Sequence, residues 1–135
     1  LNVLKKQRNE NRNLIIKKLT SSKIWNNQFS FEKIPKNLEP SWMGLPVILN
    51  ERYIKIKQKF VNLLDQNGIE TRPIISGNFL NQPAAKLYKL NLKKSIFKNA
   101  QKVQDLGFLI GLHTKKITNK QLKLLHDCFF KVDKI

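Results

Sequence analysis

Three short strand-like runs, Met43–Leu49, Ile69–Ile75 and Gly107–Leu112, are spread between longer stretches of helical period. Apolar runs of this length, bounded by turn residues, predict strands, and Pro46 restricts the first to a position where its missing N–H does no harm. Three such strands make one small sheet that cannot enclose a core by itself. Helices with an apolar stripe must cover a face of it, so the pattern predicts an α+β fold. The period alone leaves open whether the strands run parallel or antiparallel.

The stretches between the runs supply those helices. Residues 1–20 read as one helix, with Leu4, Leu14, Ile15 and Leu19 apolar and Gln7, Arg8 and Asn11 filling the gap between them. A stripe broken in this way is too thin to bury itself, so this helix is expected to lean on something outside the chain. Residues 21–43 lack a period and read as a loop pinned by Trp25, Phe29, Phe31 and Trp42, with Pro35 and Pro40 among them. Asn50 can cap a helix running to about Gln66, with Tyr53, Ile56, Phe60 and Leu63 or Leu64 as its stripe and Asn67–Gly68 as its left-handed stop. Ser76–Gln82 reads as a loop, and Pro83 suits the first turn of a short helix reaching about Leu90. Asn99–Leu106 is predicted helical. Thr118 and Gln121 have capping-box spacing and open a last helix with Leu122, Leu125, Phe129 and Val132 on one face. No internal repeat is visible. The expected architecture is a small three-stranded sheet with four helices packed on one face, preceded by a long linking helix.

With 135 residues there is room for one domain of modest core. Hydrophobic residues form 41% of the chain, too many for a disordered tail. No run reaches the ~18 apolar residues of a membrane span, and no signal-peptide pattern opens the sequence. Cys128, the single cysteine, fits a reducing cytoplasm. A first residue of Leu rather than Met points to a truncated or excised chain. The net charge of +17 raises a standalone basic module binding nucleic acid as the alternative function. Against it, Lys outnumbers Arg by 22 to 4, and the lysines are dispersed from Lys5 to Lys134 without interleaved aromatics, so nucleic acid is not the expected partner. Asn and Ile are also abundant, and with Lys they share A/T-rich codons.

Two histidines and one cysteine, widely spaced, make no metal site, and no phosphate-binding loop or nucleophile elbow is present. Self-sufficient catalysis is not expected, and no catalytic or cofactor-binding residue is assigned. One segment does suggest a ligand: GIETRPIISGNFLNQPAAKLY, Gly68–Tyr88. Pro73 holds Arg72 extended, which fixes where its guanidinium is delivered, and Gly77 and Asn78 follow in a turn. A planar cation beside an adaptable amide suits phosphate, carboxylate or sugar hydroxyls. The residues equally allow Arg72 to pair with Glu70 at the surface above an ordinary turn.

This segment, with Phe97–Leu125 (FKNAQKVQDLGFLIGLHTKKITNKQLKLL), resembles the end of the DegT-type sugar aminotransferases. These are pyridoxal-phosphate (PLP) enzymes of fold-type I in the aspartate aminotransferase superfamily. The ETRPI and GNF elements look closest to nucleotide-sugar 3-dehydratases and related transaminases. Ser41–Leu49 is similar to the strand entering the small domain of that family, and Lys6–Leu19 to the helix crossing into it. The resemblance implies residues 1–20 as an interdomain linking helix and 21–135 as the C-terminal small domain, the large cofactor-binding domain being absent. It implies PLP in the full-length enzyme, with none bound by this chain alone, and a nucleotide-linked keto-sugar as substrate in lipopolysaccharide or cell-surface polysaccharide synthesis. Arg72, Asn78 and His113 would overhang the substrate. The family further implies a cytoplasmic homodimer that contacts no membrane.

Overall fold

Residues 1–75, 77–88 and 93–135 are described by a computed structural model. Helix α1 spans Asn2–Thr20 and carries Lys17 and Lys18 in its last turn, where cations complement the carbonyl end. Strand β1, Phe29–Phe31, pairs with β2, Gly44–Leu49. Asn50 accepts a hydrogen bond from the Arg52 amide and opens a 3₁₀ turn, Glu51–Ile56, which continues as α2, Lys57–Gln66. Gly68, at φ 78°, turns the chain into β3, Thr71–Arg72. Helix α3 covers Pro83–Leu87, and α4, Lys98–Leu106, leads directly into β4, Gly107–Gly111. The expected capping box of Thr118 and Gln121 is formed and opens α5, Asn119–Phe129, which ends in a 3₁₀ turn.

The sheet is antiparallel throughout, in the order β1-β2-β4-β3. The α+β expectation holds with one strand more than the sequence predicted. That strand, β1, lies inside the stretch read as a loop: three residues carry too little alternation to be seen, and β2 supplies the pairing that makes them a strand. The predicted run Ile69–Ile75 shrinks to two residues at the sheet edge. Pro73 has no N–H for the ladder, and the Asp65 carboxylate takes the Thr71 amide at 2.8 Å. The short helix ends at Leu87; its expected continuation to Leu90 falls on residues outside those described, as does Ser76 of the following loop.

Cross-strand partners share a face. Register therefore puts Phe29, Leu45, Val47, Leu49, Phe108 and Ile110 together, all buried, beneath α1, α2 and α5. The aromatic centre is Phe60 of α2, fully buried, with ring centroids 5.9 Å from Phe29, 6.0 Å from Phe108 and 5.9 Å from Phe129. The opposite face carries Pro46, Ile48, Leu109 and Arg72, half-buried except for the exposed arginine.

Helix α1 corrects the reading of its own stripe. Ile15 and Leu19 are buried, but so are Asn11 and Arg12, whereas Leu4 and Leu14 are exposed. Asn11 fills its place because loops of the same chain satisfy it: its amide donates to the His113 and Lys115 carbonyls, each at 2.8 Å, and accepts from the Ile117 amide at 3.0 Å. Arg12 donates to the Glu32 carbonyl at 2.6 Å and stacks over Trp42, 4.9 Å from the ring centroid. Burial lowers the pKa of this guanidinium below its usual value, with Glu32 opposing the shift. The first turn is the exposed end of the helix: Leu1, Val3 and Leu4 find little cover among the described residues.

Candidate functional site

The segment after α2 is built on one carboxylate. Asp65 holds the Thr71 amide and, at 3.0 Å, its hydroxyl, which fixes where β3 begins. Arg72 then faces away from the core beside Leu109. Its Nε and Nη2 donate to Glu70 Oε1 at 3.0 and 2.7 Å, and both side chains are about 70% exposed (72% and 69%). A pair so open to water holds by less than about 1 kcal/mol, so an anionic ligand can displace Glu70 at little cost. Arg72 is thus presented to solvent, paired but not committed.

Asn78 is in a different position. It is 1% exposed and hydrogen-bonded entirely within the chain. Its Oδ1 accepts from the Leu80 amide at 3.1 Å, its Nδ2 donates to Gln101 Oε1 at 3.0 Å, and its backbone N–H donates to Gln104 Oε1 at 3.0 Å. Asn81 bonds the same two glutamines at 2.8 and 2.9 Å. Gly77 has φ 65°, and an added Cβ there would stand 2.9 Å from Gln104 Cβ. The turn is therefore fastened to α4 by hydrogen bonds from amide groups. Gln101 and Gln104 were not singled out in the sequence, although their i, i+3 spacing on one helix face was a signal.

His113 is exposed just beyond the far end of β4, and its Nδ1 accepts from the Lys115 amide at 2.9 Å. The Asn78 turn lies on α4 at the entering end of that strand. Five residues of strand, on the order of 15 Å, separate the two, so the three expected residues do not converge on one point.

Exposed apolar side chains gather in the same stretch as Arg72. Ile75 is 90% exposed, Leu87 82% and Tyr88 71%, with Phe79, Ile96 and Phe97 also exposed. Large apolar side chains left this open to water are candidates for contact with another domain or chain. Among the described residues no group of His, Cys, Asp and Glu could hold a metal ion. Lys57, whose pKa is lowered by burial with Asp105 opposing, donates to the Gln104 carbonyl at 2.7 Å and is not free to hold a cofactor. No helix among the described residues is long and apolar enough to cross a membrane.

An antiparallel sheet covered by helices on one face and led into by a long helix is the architecture of a domain found in PLP-dependent enzymes of fold-type I. Solved chains that share it include a sugar dehydratase and a sugar aminotransferase. GDP-4-keto-6-deoxy-D-mannose-3-dehydratase of E. coli, solved with bound hydrated PLP, superposes with a TM-score of 0.75 at 22% identity, over 94% of this chain and 31% of that one. A Streptococcus pneumoniae protein described as a sugar aminotransferase, in its PMP form, gives 0.76 at 14% identity, over 97% and 31%. In sequence, the chain is 33% identical over 76 residues to GDP-4-keto-6-deoxy-D-mannose 3-dehydratase of Escherichia coli O55:H7, covering 56% of this chain and 19% of that enzyme. It is 30% identical over 89 residues to the lipopolysaccharide biosynthesis protein RfbH of Salmonella typhimurium, covering 62% and 20%. The chain thus spans about a fifth of the length of the curated relatives it matches. No family model matches it.

Proposed function

We propose that this chain is the C-terminal small domain of a PLP-dependent enzyme acting on a nucleotide-linked keto-sugar, as an aminotransferase or 3-dehydratase. Residues 1–20 serve as the helix arriving from a cofactor-binding domain, and residues 21–135 close over the substrate. The chain has no turnover of that sugar substrate by itself. The whole enzyme works as a cytoplasmic homodimer in cell-surface polysaccharide synthesis. The observation that carries this reading is the combination of near-complete fold coverage with sequence likeness to dehydratases of that class. The exposed first turn of α1 and the exposed apolar side chains of Ile75, Leu87 and Tyr88 support it as places for a second domain to sit.

When bound, PLP supplies an electron sink for the chemistry at the sugar ring. The residues of this chain contribute orientation. Arg72 leaves Glu70 for an anionic group of the nucleotide sugar. Asn78 acts one step back, by fixing the turn after Arg72 to α4. His113, at the other end of β4, lines a separate part of the wall.

The test joins this chain to a cofactor-binding domain of the dehydratase type and measures PLP absorbance and turnover of a GDP-linked 4-keto sugar. Activity in the joined protein, none in the chain alone, and a KM raised about tenfold or more by Arg72→Ala are the expected results, from the loss of a charge-assisted hydrogen bond. A joined protein that binds PLP and turns over substrate equally well with Arg72→Ala removes Arg72 from the site. Failure of the joined protein to assemble removes the small-domain reading itself.

A further inference from the structure

Where α1 ends and α5 passes it, three side chains lie in a relay that the reading above does not use. His126 Nε2 is 2.9 Å from Ser22 Oγ, and His126 Nδ1 is 3.0 Å from Asp127 Oδ1. Serine on one ring nitrogen and a carboxylate on the other is the arrangement that activates a hydroxyl for acyl transfer, and it is defined by geometry rather than by sequence order. We propose that Ser22 is an activated nucleophile that accepts acyl or phosphonyl groups from activated donors, with His126 as its base and Asp127 orienting the ring.

Each part of the site has a local cause. The imidazole is held on the Phe130 ring, centroids 4.8 Å apart, which restricts its rotation. With Asp127 bonded to Nδ1, Nε2 is left as the acceptor facing the serine hydroxyl. The carboxylate stays ionised: its pKa is lowered mainly by the bond from His126, with Lys123 and Lys18 adding to the effect. His126 lies in the last turn of α5, whose carbonyl end accommodates the positive charge the ring takes up. Ser22 is half-buried, so a reagent can reach it. Among the described residues, the backbone N–H groups of Lys23 and Ile24, next to the nucleophile, have no partner in the chain and are free to donate to an oxyanion.

The chemistry closes without a cofactor. Ser22 Oγ attacks an ester carbonyl while its proton passes to His126 Nε2. The tetrahedral adduct then collapses, the C–O bond to the leaving group breaks, and that group departs with the proton from His126. Water attacking the acyl-serine by the same path restores the hydroxyl. Ser22 is only half-buried, so the donors it takes are small activated esters and acyl phosphates.

An alkyl fluorophosphonate tests this directly, because substitution at phosphorus by serine needs a base and yields a phosphonylated serine with fluoride as the leaving group. The full chain is treated with the reagent and the modified residue is mapped by mass spectrometry. Labelling at Ser22 is expected, absent in Ser22→Ala, and slower by about 100-fold in His126→Gln, the lower end of what a positioned base contributes. Asp127→Asn, which keeps size and leaves the core untouched, is expected to slow it by roughly tenfold, since an exposed orienting carboxylate matters less than a buried one. Circular dichroism of each variant separates lost reactivity from lost fold. If Ser22 in the folded wild type labels no faster than the exposed Ser41, or if folded Asp127→Asn and His126→Gln label at the wild-type rate, the three residues are only a staple between helices and the proposal falls.

Discussion

Asn11 offers the sharpest test of how α1 belongs to this fold. Its amide serves three backbone groups of the 113–117 loop, which is joined to the rest of the chain by no other backbone hydrogen bond among the described residues. Asn11→Leu keeps the volume but leaves the His113 and Lys115 carbonyls and the Ile117 amide unserved at a buried position. At about 1 kcal/mol of net stability per hydrogen bond, the loss is roughly 3 kcal/mol. For 135 residues the unfolding entropy is about 0.28 kcal/mol/K, so Tm should fall by about 10 °C. Urea unfolding followed by circular dichroism measures the first number, and hydrogen exchange reports the cause: Ile117 loses protection while β4 keeps it. Asn11→Asp adds a pH test. The introduced carboxyl faces two carbonyl oxygens, so its folded-state pKa must lie above the usual ~3.9. A raised pKa means the variant is best supported below about pH 4 and loses stability as pH rises through the folded value, opposite to an ion-paired acid. If Asn11→Leu unfolds within 0.5 kcal/mol of the wild type, or no worse than the exposed Asn13→Leu, then α1 is not anchored by this residue.

Other outcomes follow from the same structure. Phe60→Ala removes the ring at the centre of the aromatic cluster and should cost about 3–5 kcal/mol in urea unfolding; a loss under 1 kcal/mol would mean the cluster can collapse freely. Gly107→Ala puts a methyl 2.4 Å from the Val103 carbonyl and 2.9 Å from Ile74 Cδ1, so it should yield little folded protein, whereas Gly111→Ala, which meets nothing within 4 Å, should express and melt like the wild type. Burial, with the hydrogen bond to Asp133, raises the pKa of Tyr53. Because the folded value exceeds the unfolded ~10, this support is full below pH 10 and is lost as pH rises through the folded value. Absorbance at alkaline pH, read in Tyr88→Phe so that a single tyrosine reports, should show ionisation later than in the urea-unfolded chain.

What could be read from the sequence was what neighbours in sequence determine. The Asn50 cap, the Asn67–Gly68 stop and the Thr118 capping box involve partners within four residues, and each formed as predicted. Strands β2 and β4 were visible because their apolar runs suit a buried strand. Strand β1 was not, since its three residues are extended only by pairing with β2, eighteen positions on. The buried place of Asn11 depends on a loop over a hundred residues away, and no local pattern signals it. The site divides the same way. The Arg72–Glu70 pair spans two residues and was one of two readings the sequence allowed. Gln101, which takes the Asn78 side-chain amide, and Gln104, which takes its backbone N–H, stand on a helix two elements later, where no local pattern links them to the turn.

The junction of α4 with β4 has an effect beyond its own corner. No loop intervenes, so the helix ends where the strand begins and the phase of one dictates the phase of the other. Each residue of helix turns its successors by about 100°. Deleting Ala100 would swing every side chain before it by that angle relative to the sheet. Gln101 and Gln104, which follow it, would stay in register, while the connection back to α3 would be left to absorb the twist. Deleting Val103 instead would rotate Gln101 away from Asn78 and keep only Gln104 in phase. The last turn before Gly107 is thus geared to the strand, and a change of length there shifts one against the other.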